Sequence, residues 1–224
     1  MKAIFFDHDG TLIDSEMTHF ELWKTMLADM GKELTFDYYH TRMAGISVMN
    51  NAGDIIRDFS LALTPQQLFK KRRALTLQFL QRQAFPLMHG VKEVLMFCKS
   101  HNLRVAIVTG GARLAVEKTL SFYGFEDIVE CIVSSDDVVK GKPSPDCYLA
   151  ALSQMQLAPH EVIAVEDTEF GLQAAVSAGI KTVAISTPLS ANHDFSKAAG
   201  VYKNLEDWAA SLAPEVRIAS LSHR

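Results

Sequence analysis

Cysteine is scarce in this chain. Three thiols occur in 224 residues, Cys98, Cys131 and Cys147, an odd number with no C-x-x-C pair and no Cys/His cluster. That argues against a disulfide framework and a zinc site, and leaves a reducing, cytoplasmic setting as the simplest expectation. An excess of positive charge is missing as well. Lys and Arg number 22 against 26 Asp and Glu, a net charge of -4, so there is no electrostatic footprint for nucleic acid. Nor does any apolar run approach the ~18 residues a membrane-spanning helix needs. The first apolar run, Ala3–Phe6, stops at Asp7, too short for the core of a signal peptide. Repeats and low-complexity tracts are absent. What remains is ordinary globular composition, 48% hydrophobic and 21% charged, with length for one domain plus a sizeable insertion or for two small domains.

Short apolar runs punctuate the chain at Ala3–Phe6, Val105–Val108, Cys131–Val133, Val162–Val165 and Thr182–Ile185. Each stops at a polar or turn residue, as buried parallel strands do. Helix-period segments alternate with them: Val91–Cys98, Ala112–Phe122, Pro145–Met155 and Phe170–Ala178. Ser144-Pro145 offers an N-cap with proline at the first helical position, and Gly179 stands where a helix-ending glycine belongs. The pattern predicts a doubly wound α/β parallel sheet.

Between the first and second strands the alternation breaks. Most of Glu16–Ala84 reads as helix: Met17, Phe20, Trp23, Leu27 and Met30 follow a helical period that Gly31 ends, and Thr64-Pro65-Gln66-Gln67 resembles a capping box. The expected organisation is an α/β core of residues 1–14 and 85–224 with an inserted all-α subdomain of residues 15–84.

The strand exits carry the polar chemistry. After the first come Asp7-His8-Asp9-Gly10-Thr11, after the second Thr109-Gly110-Gly111, after the third Ser134 and Ser135 followed by Lys140-Gly141-Lys142-Pro143, and after the fourth Glu166-Asp167-Thr168. Ligands of open α/β sheets bind outside the carboxyl ends of the strands. Asp7, Asp9, Glu166 and Asp167 would crowd one crevice there, and a divalent cation relieves such repulsion. Hard oxygen donors favour Mg²⁺. A carboxylate nucleophile, a hydroxyl, an ammonium and a hard cation together suit phosphoryl transfer.

The segments FFDHDGTLIDS, the strand ending in Thr109, KGKPSPDCY and VEDTEFGLQAA resemble, in order, the four motifs of the haloacid dehalogenase superfamily. The insertion is similar to the helical cap of its β-phosphoglucomutase-like and phosphoglycolate-phosphatase-like branch. The resemblance implies a Rossmann-like core and a defined division of labour. Asp7 is the nucleophile that forms an aspartyl-phosphate, and Asp9 is the acid for the leaving oxygen and then the base for water. The Asp7 carboxylate, the Asp9 carbonyl and Asp167 bind Mg²⁺, with Glu166 assisting directly or through water. Thr109 and Lys142 hold the transferring oxygens, helped by backbone N–H groups around His8 and Asp9, and Gly110 joins the substrate-binding set. The cap stretch DSEMTHFELW implies that His19 and Trp23 lie near the substrate. Read from periodicity alone, those two residues, one turn apart, form a packed interior pair of the cap.

Other readings fit the residues less well. A calcium loop starting at Asp7 would need glycine and glutamate where Leu12 and Thr18 stand. Gly110-Gly111 lacks the spacing of a dinucleotide site. Asp9 speaks for phosphoryl transfer over dehalogenation, and the absence of lysine from Ala44–Arg57 weakens phosphonate cleavage. Lys140 reads as a peripheral loop charge. His8 is expected to turn its ring away from the metal. Ser134, Ser135 and Asp136 either close the site or satisfy backbone groups at a strand end. The sharpest rival is a sugar phosphomutase, whose cap loop resembles K-G-V-S-R; here Ala44-Gly45-Ile46-Ser47-Val48 has apolar residues at both basic positions, and valine cannot replace a guanidinium. A non-catalytic binding protein would lack an essential group, and none is lacking. The expectation is therefore a Mg²⁺-dependent phosphatase of a small phosphorylated sugar or polyol, with Gly45 in the substrate-facing cap loop. No nucleic-acid or membrane partner is expected, and the assembly is a monomer or a small homo-oligomer.

Overall fold

A computed structural model describes residues 1–44, 46 and 48–212, the side chain of Asn50 excepted. In chain order the strands are β1 (Ala3–Phe6), β2 (Arg104–Val108), β3 (Val129–Val133), β4 (Val162–Glu166), β5 (Lys181–Ile185) and β6 (Val201–Tyr202). The helices are α1 (Glu16–Ala28), α2 (Phe36–Arg42), α3 (Val48–Asp58), α4 (Pro65–Arg82), α5 (Val91–Ser100), α6 (Arg113–Tyr123), α7 (Asp146–Met155) and α8 (Glu169–Ser177). Two compact units result, one from Met1–Asp14 and the chain from Pro86 on, the other from Ser15–Phe85.

The first unit is a six-stranded sheet in the order β3-β2-β1-β4-β5-β6, with every pair parallel. Strand order reverses beside β1, whose neighbours are β2 and β4, so the crevice at its carboxyl end is the switch point of the fold. The two-residue period of the strands divides the core in two. Ile4, Phe6, Val105, Ile107, Ile163 and Val165 face α5, α6 and the C-terminal residues Leu205, Trp208 and Leu212. Ala3, Phe5, Ala106, Val108, Val162 and Ala164 face α7 and α8. Both sheet faces are covered, which explains why the strands read as continuous apolar runs. Phe6 meets Trp208 edge to face at 5.9 Å between centroids. Among the described residues no helix is long and apolar enough to cross a membrane.

The second unit is all helix. Phe20, Trp23, Met26 and Leu27 of α1 pack with Leu34, Tyr39, Ile55 and Leu68. Thr64 and Gln67 close the capping box of α4 reciprocally, at 3.3 Å and 2.8 Å, satisfying two donors that a helix start leaves open. The buried stripe of α1 departs from the sequence expectation. Met17 is 51% exposed, because the core face runs through Phe20, Trp23 and Leu27 with Met26, and the helix ends at Ala28 rather than reaching Met30. Phe85, expected in the α/β part, falls in the helical unit: its ring packs on Phe79 and His19, at 5.0 Å and 5.2 Å. Pro145 is the residue before α7 rather than its first. The two-residue β6 carried no readable strand pattern.

Candidate active site

Strand alternation sets the site. Asp7 follows Phe6 at the end of β1 and turns to the α7 face; its backbone N–H is fixed by Val165 O at 2.9 Å. Glu166, the last residue of β4, turns to the same face. Asp167 follows it, and Thr109 leaves β2 with its N–H on Val133 O at 2.8 Å. All four are buried. Asp7, Glu166 and Asp167 each bring a carboxylate oxygen within 4.8 Å of the others.

One ammonium stands against these three acids. Lys142 donates to Asp7 Oδ1, to Glu166 Oε1 at 2.6 Å and to Val108 O at 2.9 Å. The Tyr148 hydroxyl of α7 also donates to Glu166 Oε1, and its ring lies under the Lys142 ammonium, 5.4 Å from the centroid. Burial pushes the Asp7 carboxyl up to about 8, Lys142 pulls against that rise and Glu166 adds to it. Asp167 is raised well above the carboxylate range by burial and then by the charges of Asp7 and Glu166. Burial works against the Lys142 charge, but Asp7 and Glu166 outweigh it and hold the ammonium above its ordinary value. Two oxygens in this group, Glu166 Oε2 and Asp167 Oδ1, are buried without a hydrogen-bond partner among the described residues. Among the described residues one ammonium faces three acids, two of whose carboxyls are held above their ordinary range for want of compensation, and an all-oxygen donor set with two orphaned oxygens fits a hard divalent cation.

Glycines make room for the acids. Gly10 has φ +78°, and a Cβ there would lie 2.0 Å from Asp167 Oδ2; at Gly171 it would lie 1.9 Å from Glu166 Oε2. Asp9 stands outside the acid triad, its side chain 39% exposed with Oδ2 3.6 Å from His8 Nδ1. The His8 ring turns to the other face of the sheet and bonds Thr119 of α6 through Nε2 at 3.0 Å. Thr109 Oγ1 accepts from Gly111 N at 2.9 Å, and Gly110 is exposed beside it. Ser134 and Ser135 satisfy neighbouring groups: Ser134 N and Oγ donate to Asp137, and Ser135 Oγ to Gly111 O. Asp136 accepts from Arg113 N at the start of α6. Lys140 is exposed.

In the helical unit Trp23 is core, 4% exposed, with the Arg72 guanidinium 5.5 Å above its ring. His19 is half-buried and takes Arg72 at Nδ1, 2.9 Å. Arg72 thus reaches both residues. Gly45 lies outside the described residues.

A family model of haloacid dehalogenase-like hydrolases matches residues 1–179. The chain belongs to that family. This hydrolase is 30% identical over 188 residues to the phosphorylated carbohydrates phosphatase of Thermotoga maritima, covering 82% of this chain and 84% of that protein. It is 27% identical over 192 residues to the β-phosphoglucomutase of Bacillus subtilis, covering 83% of each. Its fold superimposes on CbbY from Rhodobacter sphaeroides, a structure in complex with phosphate, with a TM-score of 0.80, 23% identity and coverage of 95% and 96%.

Sequence reasoning missed Tyr148, Arg72 and Thr119. Tyr148 was findable: Cys147, Tyr148, Ala151, Leu152 and Met155 form the buried stripe of α7, and a buried tyrosine needs a partner for its hydroxyl. Nothing in the local sequence marks Thr119 or Arg72.

Proposed function

We propose that this hydrolase is a Mg²⁺-dependent phosphatase of small phosphorylated sugars or polyols, working in the cytoplasm as a monomer or small homo-oligomer. The observation that carries the reading is the lysine-bridged cluster of buried carboxylates at the switch point of the sheet. Asp7 is the nucleophile: one of its oxygens is engaged by Lys142, leaving the other for phosphorus, and the product of attack is an aspartyl-phosphate. Lys142 and the Thr109 hydroxyl anchor the transferring oxygens, with backbone N–H groups at His8, Asp9 and Gly110 alongside. Asp9, outside the triad and partly exposed, hands a proton to the leaving oxygen and afterwards takes one from water. Asp7, Asp167, Glu166 and the Asp9 carbonyl would hold Mg²⁺, which when bound neutralises charge on the phosphoryl group.

The likeness to a β-phosphoglucomutase supports a second reading, in which the phosphoryl group returns to the substrate. Reorienting a bisphosphate requires a cationic anchor for the second phosphate, and hydrogen bonds to charged groups contribute about 1.5–3 kcal/mol each. Ala44 and Val48 stand at the two positions where the mutase-like loop is basic, which favours hydrolysis. The test is a phosphorus NMR time course on β-glucose 1-phosphate with catalytic glucose 1,6-bisphosphate, together with a panel of sugar and polyol phosphates with and without Mg²⁺. Release of inorganic phosphate is expected wherever Mg²⁺ is present, and little or none without it. Glucose 6-phosphate accumulating without free phosphate would install the mutase, and hydrolysis undiminished in excess chelator would remove the metal.

A further inference from the structure

The residue between the two acids is a fully buried histidine, and its surroundings are built. The ring of His8 leaves the acid cluster and bonds Thr119 Oγ1 through Nε2 at 3.0 Å. That hydroxyl donates its single hydrogen to Ala115 O at 3.0 Å. It can therefore only accept from the imidazole, so Nε2 carries a hydrogen and the Nδ1 edge is the one left facing Asp9. Nδ1 has no hydrogen-bond partner among the described residues, and it stands 3.6 Å from Asp9 Oδ2. Gly111 adjoins the same carboxylate oxygen: a Cβ there would lie 3.0 Å from Asp9 Oδ2 and 3.3 Å from Thr109 Oγ1. Asp9 Oδ2 thus has both the imidazole edge and a bare glycine backbone close to it.

We propose that Thr119 is a positioning residue for Asp9, acting through His8. Its hydroxyl fixes which edge of the imidazole faces the active site, and Nδ1 in turn fixes the orientation of the Asp9 carboxyl for proton transfer to the leaving group. The proposal rests on the reading of Asp9 as general acid. It assigns work to a side chain on α6 that touches neither substrate nor metal ligands. A purely structural Thr119–His8 pair would satisfy a buried imidazole and nothing more.

The two roles separate by leaving group. 4-Nitrophenolate departs without a proton, whereas an alkoxide needs one, and kcat/KM reports transfer to Asp7 without the later hydrolysis. For Thr119→Val, kcat/KM on glycerol 1-phosphate and phenyl phosphate should fall about tenfold or more, within the range a general acid supplies, while 4-nitrophenyl phosphate changes by less than about twofold. Thr119→Ser should restore the wild-type ratio. Thr119→Ala, which also removes the hydroxyl, should show the same selective loss and stands in if Thr119→Val does not fold. Equal losses on both ester classes, no loss on either, or failure of Thr119→Ser to restore the ratio overturns the proposal. Asp9→Asn in the same assay keeps the two ideas apart. If Asp9→Asn is selective and Thr119→Val is not, only the positioning role falls; if Asp9→Asn is not selective, the general-acid reading falls and takes the proposal with it.

Discussion

Replacing Asp7 should make the metal-free protein more stable. Asp7 is 6% exposed and shares its crevice with Glu166 and Asp167. Burial and the neighbouring acid lift its carboxyl from the ordinary 3.8 to about 8. A raised acid favours the folded state while protonated; that stability is fully present below the unfolded value near 3.8 and is lost as pH rises through about 8. At ~1.4 kcal/mol per pH unit, the interval sets a ceiling on the order of 5 kcal/mol. Asp7→Asn removes the charge but also weakens the bond to Lys142, so a net gain of about 2 kcal/mol at pH 8 is expected, a rise in Tm of roughly 4–8 °C for a chain of this size. The assay is thermal unfolding in excess chelator from pH 4 to pH 8. Wild type should lose Tm steadily across that window, and Asp7→Asn should lose less, with Asp167 responsible for the residual slope. Saturating Mg²⁺ should raise wild type more than the variant and narrow the gap. A variant less stable than wild type at pH 8 in chelator, or one with an unchanged pH slope, would refute the reasoning.

Gly10→Ala should combine backbone and cation effects: the left-handed conformation costs a residue with a Cβ about 1–2 kcal/mol, and the new Cβ must displace Asp167 Oδ2, so Tm should fall and the Mg²⁺ needed for half-maximal activity should rise by an order of magnitude or so, within the ~10–100-fold range of displaced metal supports. Arg72→Ala strips a 3%-exposed guanidinium from His19, Thr76 and the face of Trp23; a loss on the order of 3 kcal/mol is expected, and a Tm within about 1 °C of wild type would contradict it. Val48→Arg should tighten competition by glucose 1,6-bisphosphate more than competition by a monophosphate, and equal changes for both would show that the loop does not meet a second phosphate.

The sheet was legible because both of its faces are covered. Continuous apolar runs such as Val162–Val165 have no solvent side to encode, so they announce buried parallel strands directly. The acids were legible because strand exits are fixed points: once β1 and β4 are located, Asp7, Glu166 and Asp167 stand at their ends, and the turning away of His8 follows from the alternation of faces. The missing parts are contacts between elements far apart in the chain. Thr119 lies 111 residues from His8 and Arg72 lies 53 from His19; either could be an ordinary helix residue until the helix is docked. Helix ends failed for a different reason. Pro145 fits equally well as N-cap or first helical residue, and α1 stops two residues before Met30 although Met30 still packs on the helical core.

The chain leaves the α/β unit at Asp14 and rejoins it at Pro86, and those two residues are hydrogen-bonded, Asp14 N to Pro86 O at 2.8 Å, with Ile13 and Leu87 bridged antiparallel beside them. Thermodynamically, the intervening helices are a loop already closed at its neck. Closure cost grows only with the logarithm of length, about 0.6 kcal/mol per doubling. An insertion twice as long, or one half the size, would therefore leave the alignment of Asp7 with Lys142 and Glu166 almost untaxed. The neck separates two rates of change: residues beyond it can be lengthened, shortened or exchanged while Asp7 and Glu166 stay where β1 and β4 put them.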